Sequence, residues 1–261
     1  MGQLGNGVYT SGNKGSNFNF ELKVLQGLEA IAVGIEDLPV NSLTSDILIT
    51  ESNLTISSDA TVLTAIICVG KPQVSVISAP NCTIVGILEI STYQGGQSVY
   101  LPLITNAGGY VSITDVIALD LSSLQYANGS FGILYTFLET IDLPVFIGPG
   151  TLFDSIFSMN NVLTELNIPV LSSTKALYAD DCTLLSVVNM SDAIIATQIT
   201  FNGCALSVTS VDSILANVNT AGVSNGTLDI SGGTNASPTG GGTNADYLAL
   251  IGRGWTVTIN P

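Results

Sequence analysis

The sequence predicts a mainly β solenoid that carries a short N-terminal helix and is closed by an α/β C-terminal cap. A phrase of apolar, polar, apolar and then Pro or Ser occurs six times, with starts that differ by 22, 20, 22, 25 and 22 residues. A period in the low twenties indicates a solenoid with one coil per repeat. Apolar residues make up 46% of the chain and charged residues 10%, so Ser, Thr, Asn and Gly must supply much of the surface. That composition favours strands and turns over a helical bundle.

Each repeat is predicted to begin with a strand. Alternation buries the first and third residues of the phrase and turns the middle residue outward. The Pro or Ser that follows marks the point where the chain leaves the sheet. The six phrases begin at Ile77, Val99, Leu119, Ile141, Leu166 and Val188, and their trailing apolar column is Cys82, Ile104, Leu124, Phe146, Leu171 and Ala193. A second, less regular extended segment completes each coil.

Three regions are expected: an arm and short helix in residues 1–34, the solenoid in 35–206 and the cap in 207–261. Residues 21–33 are predicted to be helical, because Leu22, Leu25, Leu28 and Ile31 recur at three-residue spacing. In the cap we expect a helix from a capping signal at 209–212 to Gly222 and a strand over 227–231. A second helix begins after Asn244, and a last strand spans 255–259.

Composition excludes several classes of function. The net charge is −15 and only five residues are Lys or Arg, so we expect binding neither to nucleic acid nor to an anionic membrane. The chain has no His, and its four Cys form no C-x-x-C pair, so we predict no zinc site and no cofactor. Cys182 and Cys204 lie one repeat apart. They are interpreted as buried thiols, with a disulfide as the alternative.

The middle residues of the repeated phrase are the candidate binding residues. If the coils stack in register, one exposed sheet face carries Ser78, Tyr100, Asp120, Asp142, Asn167 and Asn189. The simplest interpretation is a solvated polar face, and the functional one is a face that binds glycans or protein. A Ca²⁺ site at Asp120 with Asp142, or at Asp180 with Asp181, is a further alternative. Paired carboxylates at solenoid spacing also suit a glycosidase.

The phrase L-x-L-P-x-L with an Asn or Asp bend resembles leucine-rich-repeat and receptor-L-domain-like solenoids. Segments 202–207, 226–236 and 250–257 look like the terminal cap of such solenoids in phage structural proteins. Segments 5–7 and 12–17 are similar to the start of head-fibre proteins of crAss-like bacteriophages.

The resemblance implies a non-enzymatic virion protein, assembled in the host cytoplasm. Its expected partners are capsid proteins, further copies of itself in a dimer or trimer, and a host-surface glycan. The attachment and oligomerisation residues are then Asn13, Lys14, Phe18, Phe20, Leu22, Leu25 and Leu28. A bacterial surface leucine-rich-repeat adhesin and a polysaccharide-degrading β-solenoid enzyme are the alternative hypotheses.

Overall fold

The computed structural model describes the backbone of residues 2–4, 8–10, 22–25, 28–33, 46–49, 61–69, 76–91 and 96–261. Six strands precede the clear repeats: β1 (Gly2–Leu4), β2 (Val8–Thr10), β3 (Leu22–Leu25), β4 (Leu28–Val33), β5 (Asp46–Ile49) and β6 (Val62–Val69). β1 and β2 pair with each other, antiparallel. β4, β5 and β6 pair in parallel and open a long parallel sheet.

The helix predicted over residues 21–33 is replaced by two antiparallel strands, β3 and β4, in which Leu25 is the partner of Leu28. Two residues, Gln26 and Gly27, separate the strands in sequence, which is the spacing of a tight hairpin. The apolar residues over 22–31 are therefore also compatible with a pair of strands. A short helix is marginal alone, whereas β4 gains a parallel partner in β5.

The repeats form a parallel β-solenoid of about six coils. Each coil has a first strand from the repeated phrase and a second strand, and the second and third coils add a two-residue strand between these two. In chain order the strands are β7 (Val76–Ser78), β8 (Ile84–Ser91), β9 (Gln97–Tyr100), β10 (Asn106–Ala107), β11 (Val111–Thr114), β12 (Val116–Asp120), β13 (Tyr126–Ala127), β14 (Phe131–Leu134), β15 (Thr140–Asp142), β16 (Ser155–Ile156), β17 (Glu165–Ile168), β18 (Ala176–Tyr178), β19 (Val187–Met190) and β20 (Gln198–Thr200). The second strands continue the long sheet in the order β6, β8, β11, β14, β16, β18, β20.

The proline corners follow the prediction. In the first five coils the residue of the trailing column donates its N–H to the carbonyl three residues earlier, as Cys82 does to Ala79 at 3.1 Å and Phe146 to Leu143 at 3.2 Å. Pro80 and Pro144 therefore occupy the second position of a four-residue turn, where their fixed φ is preferred. The turn reverses the chain and buries the trailing side chain, which fills the corner of the core.

The sixth corner departs from the prediction. Ala193 is exposed, and Ile194 is buried in its place. The N–H of Ala193 donates to the Ser191 hydroxyl at 3.1 Å, and the Met190 carbonyl accepts from the Asn217 side chain at 2.9 Å. The carbonyl that would close the turn is thus bonded to the cap, and the buried position moves by one residue.

A residue in the left-handed backbone conformation ends the second strand of successive coils. The column is Asp115, Tyr135, Met159, Asp181, Gly203 and Gly232, with φ between 53° and 75°. Each member lies three positions after one of the residues that pair across the sheet, namely Ser112, Gly132, Ile156, Tyr178, Thr200 and Asp229. The column is therefore one corner of the solenoid.

Buried polar side chains just after this corner connect successive coils. Asn160 donates to the Ile133 carbonyl at 2.8 Å, and Asn235 donates to the Phe201 carbonyl at 2.8 Å. Between them, Cys182 donates its thiol to Phe157 at 3.2 Å and Cys204 donates to Ala179 at 3.0 Å. Every acceptor belongs to the preceding coil. Strand-end carbonyls that the sheet leaves inside the core are thereby paired.

The cysteines whose side chains are described are free thiols, so the disulfide alternative between Cys182 and Cys204 is wrong. Cys82, Cys182 and Cys204 are all buried. Burial raises the pKa of Cys82 from 9.0 to about 11. The hydrogen bond with the Cys182 thiol and burial together raise the pKa of Cys204.

The cap consists of α1 (Val208–Thr220), β21 (Thr227–Ile230), a short 3-10 turn (Gly241–Thr243), α2 (Ala245–Gly252) and β22 (Thr256–Ile259). Ser207 caps α1 by accepting from the Ser210 N–H, two residues earlier than the predicted signal. Asn244 caps α2 as predicted. β21 and β22 extend the long parallel sheet.

The first helix of the cap closes the open edge of β19. The Ser210 hydroxyl donates to the Ser186 carbonyl at 2.8 Å and accepts from the Val188 N–H at 3.3 Å. Ser210 thus satisfies backbone groups that a further strand would have paired. A single apolar core extends from Leu63 through all the coils to Trp255 in the cap.

Candidate functional site

The predicted face of middle residues exists, but as two separate ladders. β7, β9 and β12 form one three-stranded parallel sheet, and β15, β17 and β19 form another. In the first sheet Ser78, Tyr100 and Asp120 are Cα partners. In the second sheet the partners are Asp142, Asn167 and Asn189. We call the second set the amide ladder.

Side chains within the amide ladder bond to one another. Asn167 donates its amide to a carboxylate oxygen of Asp142. Asn189 donates to the side-chain oxygen of Asn167 at 2.7 Å. The three side chains form a chain of hydrogen bonds along the solenoid axis. This arrangement holds acceptor and donor groups at the strand spacing of about 4.8 Å.

The first ladder is organised differently. Asp120 accepts from the Ser122 N–H at 3.1 Å and from its hydroxyl at 2.7 Å, so its carboxylate bonds to its own corner. Tyr100 is exposed and precedes a proline corner. An exposed ring next to the Asp120 carboxylate is a suitable surface for a sugar, because the ring covers C–H groups while the carboxylate binds hydroxyls.

The two ladders are separated by a break in the sheet. β12 and β15 belong to different sheets and do not pair with each other, so no strand pairing joins Asp120 to Asp142. A bulge at Ile117 interrupts the pairing of β12 with β9, within the first sheet. The strands that carry the predicted face are therefore paired within each set of three coils and are not paired between the third and fourth coils.

The second predicted cation pair is also accounted for by structural contacts. Asp180 accepts from the Thr200 hydroxyl at 2.7 Å and from the Asn202 N–H at 2.9 Å. Asp181 is the left-handed corner residue of its coil. Within the part of the chain that the structure describes, no group of three or more His, Cys, Asp or Glu could hold a metal ion.

Other groups on the long sheet also have structural partners. The Tyr110 hydroxyl donates to Glu89 at 2.5 Å, and burial together with this carboxylate raises the Tyr110 pKa to about 12. Burial and the nearby Asp154 and Asp180 carboxylates raise the pKa of Tyr178. Both phenols therefore stay protonated at neutral pH.

The predicted attachment residues are only partly described. Asn13, Lys14, Phe18 and Phe20 lie outside the described residues. Leu22, Leu25 and Leu28 lie in β3 and β4, of which the backbone is described.

Four exposed apolar residues near the sheet break were not singled out from the sequence: Ile117, Tyr135, Phe137 and Met159. The sequence feature that could have revealed them lies in residues 134–138, where two aromatic residues interrupt the repeat and its alternation of apolar and polar residues is lost.

No known protein family, curated protein or solved structure matches this chain. Neither helix of the described cap is long and apolar enough to cross a membrane.

Proposed function

We propose that this chain is a non-enzymatic structural protein of a virion, a head fibre or decoration protein, whose solenoid is exposed and contacts host-surface glycans. The observation that carries the proposal is the amide ladder of Asp142, Asn167 and Asn189. Evenly spaced carboxylate and amide groups on a rigid sheet suit sugar hydroxyls. The ladder holds one carboxylate, that of Asp142, and two amides, so it does not by itself supply the two carboxyl groups that glycoside hydrolysis uses.

We further propose that the solenoid is of the leucine-rich-repeat type, and the second strands support this. Residues 199–206 read I-T-F-N-G-C-A-L, which agrees with the L-x-L-x-x-N/C-x-L part of that consensus. Cys204 and its counterparts Asn160 and Cys182 are buried and bond to backbone carbonyls. A buried Asn or Cys that bonds to the backbone explains why the consensus allows only these residues.

The arm in residues 1–34 is proposed to dock on capsid proteins, with copies of the chain meeting as a dimer or trimer. The support is the resemblance of its opening to crAss-like phage head fibres. β4 pairs with β5, so deleting the whole arm would uncover a strand edge of the solenoid. Point substitutions in the arm are therefore the better test.

Attachment is tested by peptide mass spectrometry of purified virus particles and by a capsid-binding assay with the full chain. We expect Phe18→Ser with Phe20→Ser to abolish capsid binding, while Gln125→Ala on the solenoid binds as the wild type does. A protein that is missing from the particles would refute the virion role.

Glycan contact is tested separately, on an array of host-surface polysaccharides. Tyr100→Ala with Asn189→Ala should weaken binding at least about tenfold, the loss of about 1.4 kcal/mol. Gln125→Ala again serves as the control. Release of new reducing ends by the wild type, lost in Asp120→Asn with Asp142→Asn, would instead establish the polysaccharide-degrading alternative.

A further inference from the structure

Four exposed apolar side chains gather at the corner beside the sheet break. Ile117 is 51% exposed, Tyr135 54%, Phe137 52% and Met159 38%. We call these four residues the corner patch. Each of them lies within two residues of one of three successive left-handed corner residues, Asp115, Tyr135 and Met159, and none of them belongs to the ladders or to the predicted attachment residues. Isolated exposed apolar residues are ordinary, whereas a contiguous group of large ones marks a contact surface.

Backbone pairing shows that the patch is contiguous. Gly132 pairs with Ile156, and Tyr135 and Met159 each follow three positions later, so these two side chains lie in adjacent coils. The N–H of Phe137 donates to the Val116 carbonyl at 2.8 Å, which fixes Phe137 beside the bulge at Ile117. Thr136 bonds through its N–H and hydroxyl to Asn160, at 2.8 Å each, and so holds the two middle coils together.

Two members of the patch occupy a costly backbone conformation. Tyr135 has φ 53° and Met159 has φ 61°. The equivalent residues of two later coils are Gly203 and Gly232, which adopt this region without a Cβ penalty. A bulky residue is strained in this backbone region. Because both side chains are exposed, packing in the core does not offset that cost.

The surroundings of the patch are acidic. Asp115 precedes Tyr135 in the corner column, Asp181 follows Met159, and exposed Glu139 is two residues from Phe137. In residues 76–261 the sequence has only two cations, Lys175 and Arg253. An apolar centre with a negative rim is complementary to an apolar surface with a positive rim. A second copy of this chain would bring the same acidic rim against itself.

We propose that the corner patch docks a partner polypeptide whose apolar side chains are flanked by Lys or Arg. The apolar contacts supply the affinity, and the acidic rim selects the partner and speeds encounter. This inference goes beyond the proposed function, because it concerns a protein partner and residues outside both the arm and the ladders.

The test uses the full chain and a fluorescently labelled synthetic amphipathic peptide with Phe and Leu on one face and Lys on the other. A control peptide of the same design carries Glu in place of every Lys. We expect the Lys peptide to bind the wild type, more weakly as NaCl is raised, and the Glu peptide not to bind. Tyr135→Gly with Phe137→Ser should weaken binding of the Lys peptide at least about tenfold.

The matched control is Leu152→Ser, since Leu152 is exposed but lies outside the patch. It should bind as the wild type does. If the patch variant unfolds by circular dichroism, Tyr135→Gly with Met159→Gly replaces it, because glycine suits both backbone positions. Equal binding by a folded patch variant and the control overturns the proposal. So does a wild-type dimer in sedimentation velocity that Tyr135→Gly dissociates, because the occupant is then a second copy.

Discussion

The side-chain amide of Asn160 donates a hydrogen bond to the carbonyl of Ile133, one coil earlier, at 2.8 Å. The same amide donates to Phe157 at 2.6 Å, and its oxygen accepts twice from Thr136. Asn160 is fully buried, and it therefore pairs polar groups of two coils that the apolar core would otherwise leave unpaired. Coil-to-coil attachment depends on such side chains as well as on the sheet.

Replacing this side chain should destabilise the solenoid. Asn160→Ala leaves the Ile133 carbonyl and Thr136 without these partners, and each unpaired buried group costs about 1–3 kcal/mol. We expect a loss of at least about 3 kcal/mol in the free energy of unfolding, measured with urea. The neighbouring Asn161 is exposed, so Asn161→Ala should change stability by less than about 0.5 kcal/mol. Equal effects of the two substitutions would contradict this account.

Ser155 is a position where a substitution should stabilise the folded chain. Its side chain is fully buried, and its hydroxyl has no hydrogen-bond partner among the described residues. Ser155→Ala should therefore raise the free energy of unfolding by about 1 kcal/mol. The contrasting substitution is Ser158→Ala, because the Ser158 hydroxyl accepts from the Asp180 N–H at 3.0 Å. That variant should lose about 1 kcal/mol, and a loss in both would show that Ser155 has a partner.

The left-handed corner column predicts that adding a side chain at a glycine and removing one at a non-glycine position have different effects on stability. A Cβ at Gly203, where φ is 72°, would lie 2.7 Å from a carboxylate oxygen of Asp181, so Gly203→Ala should cost about 1–2 kcal/mol. Met159→Gly should cost nothing, since relief of the backbone offsets the entropy of glycine. Leu152→Gly, outside the column, should lose about 0.5–1 kcal/mol in the same thermal unfolding series.

Buried thiols predict a loss of stability at alkaline pH. The pKa of Cys82 rises from 9.0 to about 11 on folding, so the folded chain holds this proton more tightly than the unfolded chain. The resulting stability is complete below pH 9 and is lost as pH rises through 11. Urea midpoints should fall between pH 9 and pH 11, and less so in Cys82→Ala. A fall of the same size in that variant would assign the effect to other groups.

The repeat architecture could be predicted from the sequence because its causes are local. The spacing of the L-x-L phrases sets the coil, alternation sets which side chains are buried, and Pro80 and Pro144 prefer the turn position that they occupy. The α/β cap was predicted for the same reason, since Asn244 and Gly222 act on their own helix ends.

The pairing of strands between coils could not be predicted from the sequence. The sheet break between Asp120 and Asp142, the hairpin of β3 and β4 and the corner patch all depend on which strand lies alongside which. The bulge at Ile117 offsets Val116 from the register of Leu119 and Asp120, although the repeated phrases themselves stay paired. Local propensity acts within a few residues, whereas strand register is chosen by the summed burial and hydrogen bonding of distant segments. The coil was therefore predictable from the chain, and the faces it presents were decided by stacking.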